Sequence, residues 1–195
     1  MDPSGARGPA VTAVVLAGGA ARRLGGADKP ATPVGGVPLL DRVLAALPAE
    51  AQVVVVGPAR PTSRPVRWTR EDPPGGGPVA ALVAGLAPAT GDRVLLLAAD
   101  LPFLTPAAVA ALLDAVGEGE GAVLVDDDDR PQWLTSAWRT ASLRSALPAG
   151  DPAGLPLRAV LGGLRTARVA LPGEGPPPWL DCDTPDDLRR AEEHA

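Results

Sequence analysis

Three short runs, Val11–Leu16 (VTAVVL), Gln52–Val56 (QVVVV) and Arg93–Ala98 (RVLLLA), constrain the fold more than any other feature of the chain. A short run that is apolar on both faces suits a strand covered on both sides, as in a parallel sheet. Helices are expected between them. Pro38–Leu47 carries Leu39, Leu40, Val43, Leu44 and Leu47 at helical spacing, with Pro38 fit for the first turn and Pro48 for the stop. Val79–Leu86 follows the turn-rich stretch PPGGGP, and Thr105-Pro106 opens a helix expected to reach Val116. Strand, helix and parallel strand join with a right-handed crossover by default. The expected fold class is therefore α/β, a Rossmann-like, mainly parallel sheet flanked by helices.

The second half reads less regularly. Strands are expected at Ala122–Val125, Gln132–Trp138 and Thr166–Leu171, and helices at Ala141–Leu147 and Leu155–Leu164. A last helix follows Thr184-Pro185-Asp186-Asp187, where cap, proline and acidic first turn coincide. This strand-rich middle is expected to hold an antiparallel edge. Residues 1–10 read as a loose leader and 11–195 as one domain, since 195 residues bury roughly 70% of their extended surface without staples.

Charge and rare residues narrow the function. A formal charge of −5 argues against a general nucleic-acid binder, which needs a basic face. The single cysteine, Cys182, forms no internal disulfide, and the single histidine, His194, leaves no basis for histidine catalysis or a histidine-rich metal site. No segment approaches the roughly 18 apolar residues of a membrane span. No membrane partner is expected, and the expected compartment is the cytoplasm.

The first strand runs into a loop, Leu16-Ala17-Gly18-Gly19 through Arg22, Arg23, Gly25, Gly26 and Asp28-Lys29. Glycines there let a ligand approach the bare backbone, and successive N–H groups form an anion-binding concavity. Lys29 is the only lysine among 18 lysine and arginine residues. An ammonium binds phosphate as a compact point charge. The simplest ligand for the loop is a polyphosphate. The loop is neither a P-loop, which needs G-x-x-x-x-G-K-[ST], nor a dinucleotide G-x-G-x-x-G.

The pattern L-A-G-G-x-x-x-R-x-G-G-x-D-K, carried by Leu16, Ala17, Gly18, Gly19, Arg23, Gly25, Gly26, Asp28 and Lys29, resembles the signature loop of nucleotidyltransferases with the nucleotide-diphospho-sugar transferase fold. Among these it looks most like the molybdenum cofactor guanylyltransferases. The resemblance extends over roughly residues 11–193, densest at 16–29, 71–72, 78–80, 98–102 and 181–188. It implies transfer of GMP from GTP to the terminal phosphate of molybdopterin-bound molybdenum cofactor, and a molybdoenzyme or delivery protein that receives the product.

Nucleotidyl transfer is mostly positioning and charge stabilisation, with Mg²⁺ taking one or two carboxylates beside phosphate oxygens. Asp100, at the end of a strand, aligns with the family's magnesium aspartate. Arg23 and Lys29 are expected to neutralise the phosphates. The Leu16–Gly19 backbone is expected to hold the base, with a carboxylate at Asp72 accepting from guanine N1 and N2.

Asp183 has two readings, a second metal ligand or acidic decoration of the last helix. Asp181 and Asp183 stand where the guanylyltransferases usually carry asparagine. Cytidylyltransferases often have aspartates there, so CTP or a sugar 1-phosphate partner stays open. A non-catalytic nucleotide-binding adaptor is the rival from another class. The Pro73–Pro78 stretch is read either as a loop closing over the nucleotide or as a plain connector. The acidic run Asp126–Asp129 is read as a solvated turn. Gln132, Arg139 and Arg165 are weighed as contacts for an anionic acceptor against a plain surface role.

Overall fold

The computed structural model describes residues 10–18, 28–171, 173 and 175–195. The leader expected at residues 1–10 lies outside the described residues but for Ala10. The first half follows the expected alternation: β1 (Val11–Leu16), a 3-10 turn (Lys29–Ala31), a short hairpin of β2 (Pro33–Val34) and β3 (Val37–Pro38), then α1 (Leu39–Ala45), β4 (Gln52–Val56), β5 (Arg67–Thr69), α2 (Pro78–Leu86), β6 (Arg93–Ala98) and α3 (Pro106–Ala115). The second half comprises β7 (Gly121–Val125), β8 (Pro131–Arg139), α4 (Thr140–Ala146), α5 (Leu157–Leu161), β9 (Thr166–Val169) and α6 (Pro185–Glu193).

Seven strands form one sheet in the order β5-β4-β1-β6-β8-β7-β9. All pairings are parallel except those of β8, which runs antiparallel to β6 on one side and β7 on the other. The antiparallel element expected at an edge is thus inserted inside the sheet. β7 and β8 are joined by the Asp126–Arg130 turn, and a hairpin of this kind reverses direction as a crossover helix does not.

Alternation along the strands builds two apolar layers. Ala13, Val15, Leu95 and Leu97 face α1 and α3, while Val14, Leu16, Val94 and Leu96 face α2 and α5. Both faces are fully covered, which is why the central strands read as unbroken apolar runs. A third small cluster, Val34, Leu39, Cys182 and Ala191, docks α6 on the β2–β3 hairpin. Cys182 is therefore a core residue, and burial first, then the charge of Asp100, pushes its thiol up to about 11.

Two close approaches need glycine. Gly57 has φ +150°, and a Cβ there would stand 2.7 Å from the Ala17 carbonyl oxygen, so the chain leaving β4 lies against the chain leaving β1. A Cβ on Gly121 would stand 2.2 Å from Cε3 of Trp138, which is fully buried and donates through Nε1 to Ser136 Oγ at 2.8 Å. Gly121→Ala is expected to cost about 1–3 kcal/mol, read as a lower denaturation midpoint at unchanged slope.

Candidate active site

Because β4, β1 and β6 are parallel, their carboxyl ends share one edge of the sheet, and the antiparallel β8 brings its first residues to the same edge. Ligands bind at such edges in open α/β sheets. A cleft of about 1360 Å³ lies there. Its floor is Leu16, Ala17 and Gly18 after β1 and Ala98 to Leu101 after β6, and one wall is Gly75, Gly77 and Pro78 at the start of α2. The other wall is Pro131 to Thr135 of β8 with Leu157 and Trp179. Backbone hydrogen bonds fix the floor: Ala17 N–H donates to Val56 O at 2.8 Å and Ala99 N–H to Leu16 O at 3.1 Å.

Lys29 lines this cleft. Its ammonium donates to Asp183 Oδ1 at 2.7 Å and pairs with Asp100 Oδ2. Lys29 and Asp100 side chains are each 16% exposed and Asp183 is 52% exposed. Burial alone would lower the Lys29 pKa, but hydrogen bonds to Asp100 and Asp183 and their charges outweigh it, and the net direction is up. The group is a fixed cation at any working pH. Asp181, also in the cleft, is shifted the other way from a normal acid: burial first, then the charges of Asp100 and Asp183, raise its carboxyl, with Lys29 opposing. The segment that places these acids is extended, so Asp181 and Asp183 flank the buried Cys182 and reach solvent.

The next turn is locked by a capping box. Thr184 N–H and Oγ1–H donate to Asp187 Oδ2 at 2.8 and 2.7 Å, and Asp187 N–H returns to Thr184 Oγ1 at 3.2 Å. The hydrogen bond from the Thr184 side chain holds the Asp187 carboxyl below its usual range.

The donor set suits a hard divalent cation. Asp100 and Asp183 converge on one cationic point, which the Lys29 ammonium marks. Among the described residues no group of three or more His, Cys, Asp or Glu could hold a metal. Two carboxylates completed by phosphate oxygens and water fit Mg²⁺, which rarely sits in an all-protein cage.

Glu71 lines the cleft as well. Its Oε1 accepts from Gly75 N–H at 3.0 Å, and its Oε2 is buried with no hydrogen-bond partner among the described residues. A Cβ on Gly18 would lie 4.0 Å from Glu71 Oε1, so this carboxylate borders the backbone floor. Asp72, the sequence candidate for the base contact, is exposed and does not line the cleft. Of these two adjacent carboxylates, Glu71 is the one that lines the cleft.

Of the other sequence candidates, Leu16, Ala17, Gly18, Lys29, Asp100 and Asp183 are brought together in the cleft. Gly19 and Arg23 lie outside the described residues. The turn before α2 lines the cleft, with Gly77 at φ +90° as the residue before Pro78. Gln132 lines the cleft too, donating to Asp126 Oδ2 at 3.0 Å. Arg139 does not: its Nε donates to Gly119 O at 2.8 Å, at the far end of β8. Asp126 closes its own turn by accepting from Asp128 and Arg130 N–H at 3.0 and 2.8 Å, in keeping with a solvated turn. Arg60, which the sequence did not mark, lines the cleft beside Asp28. Trp133, also in the wall, stacks on Trp138 with ring centroids 6.4 Å apart.

Comparison with known proteins adds a family. Residues 13–168 match the model of the MobA-like NTP transferase domain. The molybdenum cofactor guanylyltransferase of Rhodobacter capsulatus is 33% identical over 94% of this chain and 95% of its own length. Among solved structures, a molybdopterin-guanine dinucleotide biosynthesis protein A from Archaeoglobus fulgidus is similar with a TM-score of 0.65 at 21% identity, covering 93% of this chain and 97% of that one. The 2-C-methyl-D-erythritol 4-phosphate cytidylyltransferase of Thermus thermophilus is similar with a TM-score of 0.69 at 24% identity, covering 92% and 96%. Both likenesses speak to the fold. No helix among the described residues is long and apolar enough to cross a membrane.

Proposed function

The chain belongs to the molybdenum cofactor guanylyltransferases of the MobA-like NTP transferase family and is a nucleotidyltransferase, and from that premise we propose that it moves GMP from GTP onto the terminal phosphate of molybdopterin-bound cofactor. The observation that carries the reading is the Lys29 ammonium held between Asp100 and Asp183, in a cleft that the Glu71 carboxylate also lines.

The residues divide the work as follows. The Leu16–Gly18 backbone supports the base, and Glu71 accepts from guanine N1–H and N2–H. Cytosine offers only its N4 amine as a donor, so it leaves one carboxylate contact unmade. Lys29, joined by Arg23, neutralises the phosphates, and the α2 N-terminus adds its partial positive charge. Asp100 and Asp183 would hold Mg²⁺, which supplies Lewis-acid stabilisation of charge on phosphate oxygen. An oxygen of the acceptor's terminal phosphate forms a bond to the α-phosphorus. The bond from that phosphorus to the bridging oxygen breaks, and pyrophosphate leaves with the electron pair. The acceptor phosphate is already anionic at neutral pH, so no protein base is required. The wall of Gln132, Trp133 and Trp179 is the acceptor side. The cytoplasm is the compartment of this reading, with a molybdoenzyme or its delivery protein taking the labile product.

Pyrophosphate release from GTP, CTP, ATP and UTP, each with Mg²⁺ and with or without molybdopterin cofactor, tests the reading. GTP-only, cofactor-dependent release is expected. Release from CTP alone would move the base assignment, and no release from any would overturn the activity. Glu71→Gln is expected to lower kcat/KM for GTP about 10- to 100-fold, the worth of hydrogen bonds to a charged acceptor. The same change should leave CTP nearly unaffected, so the ratio of the two isolates base reading from general damage.

A further inference from the structure

Arg60 is the least satisfied cation of the described residues. It follows β4 in a loop, and its side chain is 8% exposed. Its guanidinium lies over the Trp68 ring, with Cζ 5.8 Å from the centroid. Nη2 reaches Asp28 Oδ1 at 3.1 Å, but Nε and Nη1 are buried with no hydrogen-bond partner among the described residues. A guanidinium has five N–H donors, and leaving buried donors of a charged group unmade is costly. The indole face stabilises the charge without accepting from those N–H groups in the plane of the fork. Asp28 does not complete the set either, because its contact is with Nη2.

The missing acceptor is expected to come with a ligand, since Arg60 lines the same cleft as Lys29. Its position names the class. Asp28 precedes Lys29 directly, so the Arg60 guanidinium is tied to the segment that carries Lys29 and not to an independent surface. Its unmade donors, Nε–H and the Nη1 hydrogens, lie on different edges of the guanidinium and suit separate oxygens, as linked phosphates offer. We infer that Arg60 is a binding residue for the outer phosphates of the donor nucleotide, the group that departs as pyrophosphate. The inference rests on the nucleotidyltransferase reading and adds a contact to it. Lys29 and Arg60 would then both meet the charge of the leaving group.

Binding of GTP, GMP and pyrophosphate to the full chain with Mg²⁺, measured calorimetrically, tests this. Arg60→Gln is expected to weaken GTP and pyrophosphate about 10- to 100-fold while GMP stays within about twofold, and Arg60→Lys should fall between. Retained GMP binding also certifies that the variant is folded. Asp28→Asn is expected to keep GTP affinity. Equal loss of GMP and GTP would overturn the assignment, as would an Asp28→Asn variant that reproduces the Arg60→Gln loss, since Arg60 would then act only through Asp28. Failure of the unaltered protein to bind GTP, with Arg60-dependent pyrophosphate binding intact, would overturn the nucleotide reading and keep the phosphate site.

Discussion

Asp100→Ala is expected to lower turnover by at least about 100-fold, and toward 1000-fold if the carboxylate organises the full charge of the transition state, the range seen when one preorganised electrostatic contact is removed. The fold should survive. Asp100 lies past Ala98, the last paired residue of β6, and its neighbours Ala99 and Leu101 are the buried ones. Its charge, not its packing, is what the site uses: it pairs with Lys29 and raises Asp181. The measurement is single-turnover pyrophosphate release beside thermal unfolding. Near-normal turnover in a folded Asp100→Ala protein would remove the metal assignment. Asp183→Ala is expected to do less, because that carboxylate is half exposed and solvent replaces part of it.

Lys29→Met is the second large effect, expected at about 100- to 1000-fold in kcat/KM by the same scale. Methionine keeps the volume and removes the cation that pairs with both Asp100 and Asp183. The incoming triphosphate then meets less positive charge beside those carboxylates. Lys29→Arg should restore binding better than rate, because a planar fork cannot occupy the point the ammonium holds. The methionine variant also has a pH signature. Asp181 is raised already, and Lys29 is the cation that opposes the rise. Without it the Asp181 carboxyl sits higher still above its unfolded value. An acid raised in the folded state destabilises above that raised pKa and ceases to do so below its unfolded pKa. The stability deficit of Lys29→Met should therefore be largest at neutral pH and shrink as the pH is lowered toward the ordinary aspartate range, followed by thermal unfolding across pH.

What the sequence made legible follows from which forces are local. β1, β4 and β6 stood out because strands covered on both faces must be apolar at every position. Asp100 and the Leu16–Gly18 backbone were readable because strand ends in such sheets define the binding edge. The final helix was readable from Thr184 to Asp187, where cap and first turn are written in four residues. The β2–β3 hairpin went unread, since two-residue strands containing Pro33 and Pro38 have no periodicity to detect. The place of β8 between β6 and β7 is a matter of pairing across the chain, which composition does not encode. Glu71 and Asp72 are adjacent carboxylates, and only the path of the chain past Gly18 decides which one turns inward. Arg60 needed Trp68 and Asp28, brought from two other segments, before its buried donors had meaning.

The contact between Lys29 and Asp183 joins positions 154 residues apart. Closing so long a loop has an entropic cost that the folded chain must offset. The cation site therefore needs two distant segments in place at once, and loosening of the segment before α6 alone would take Asp183 from the centre while leaving β1, β4 and β6 intact.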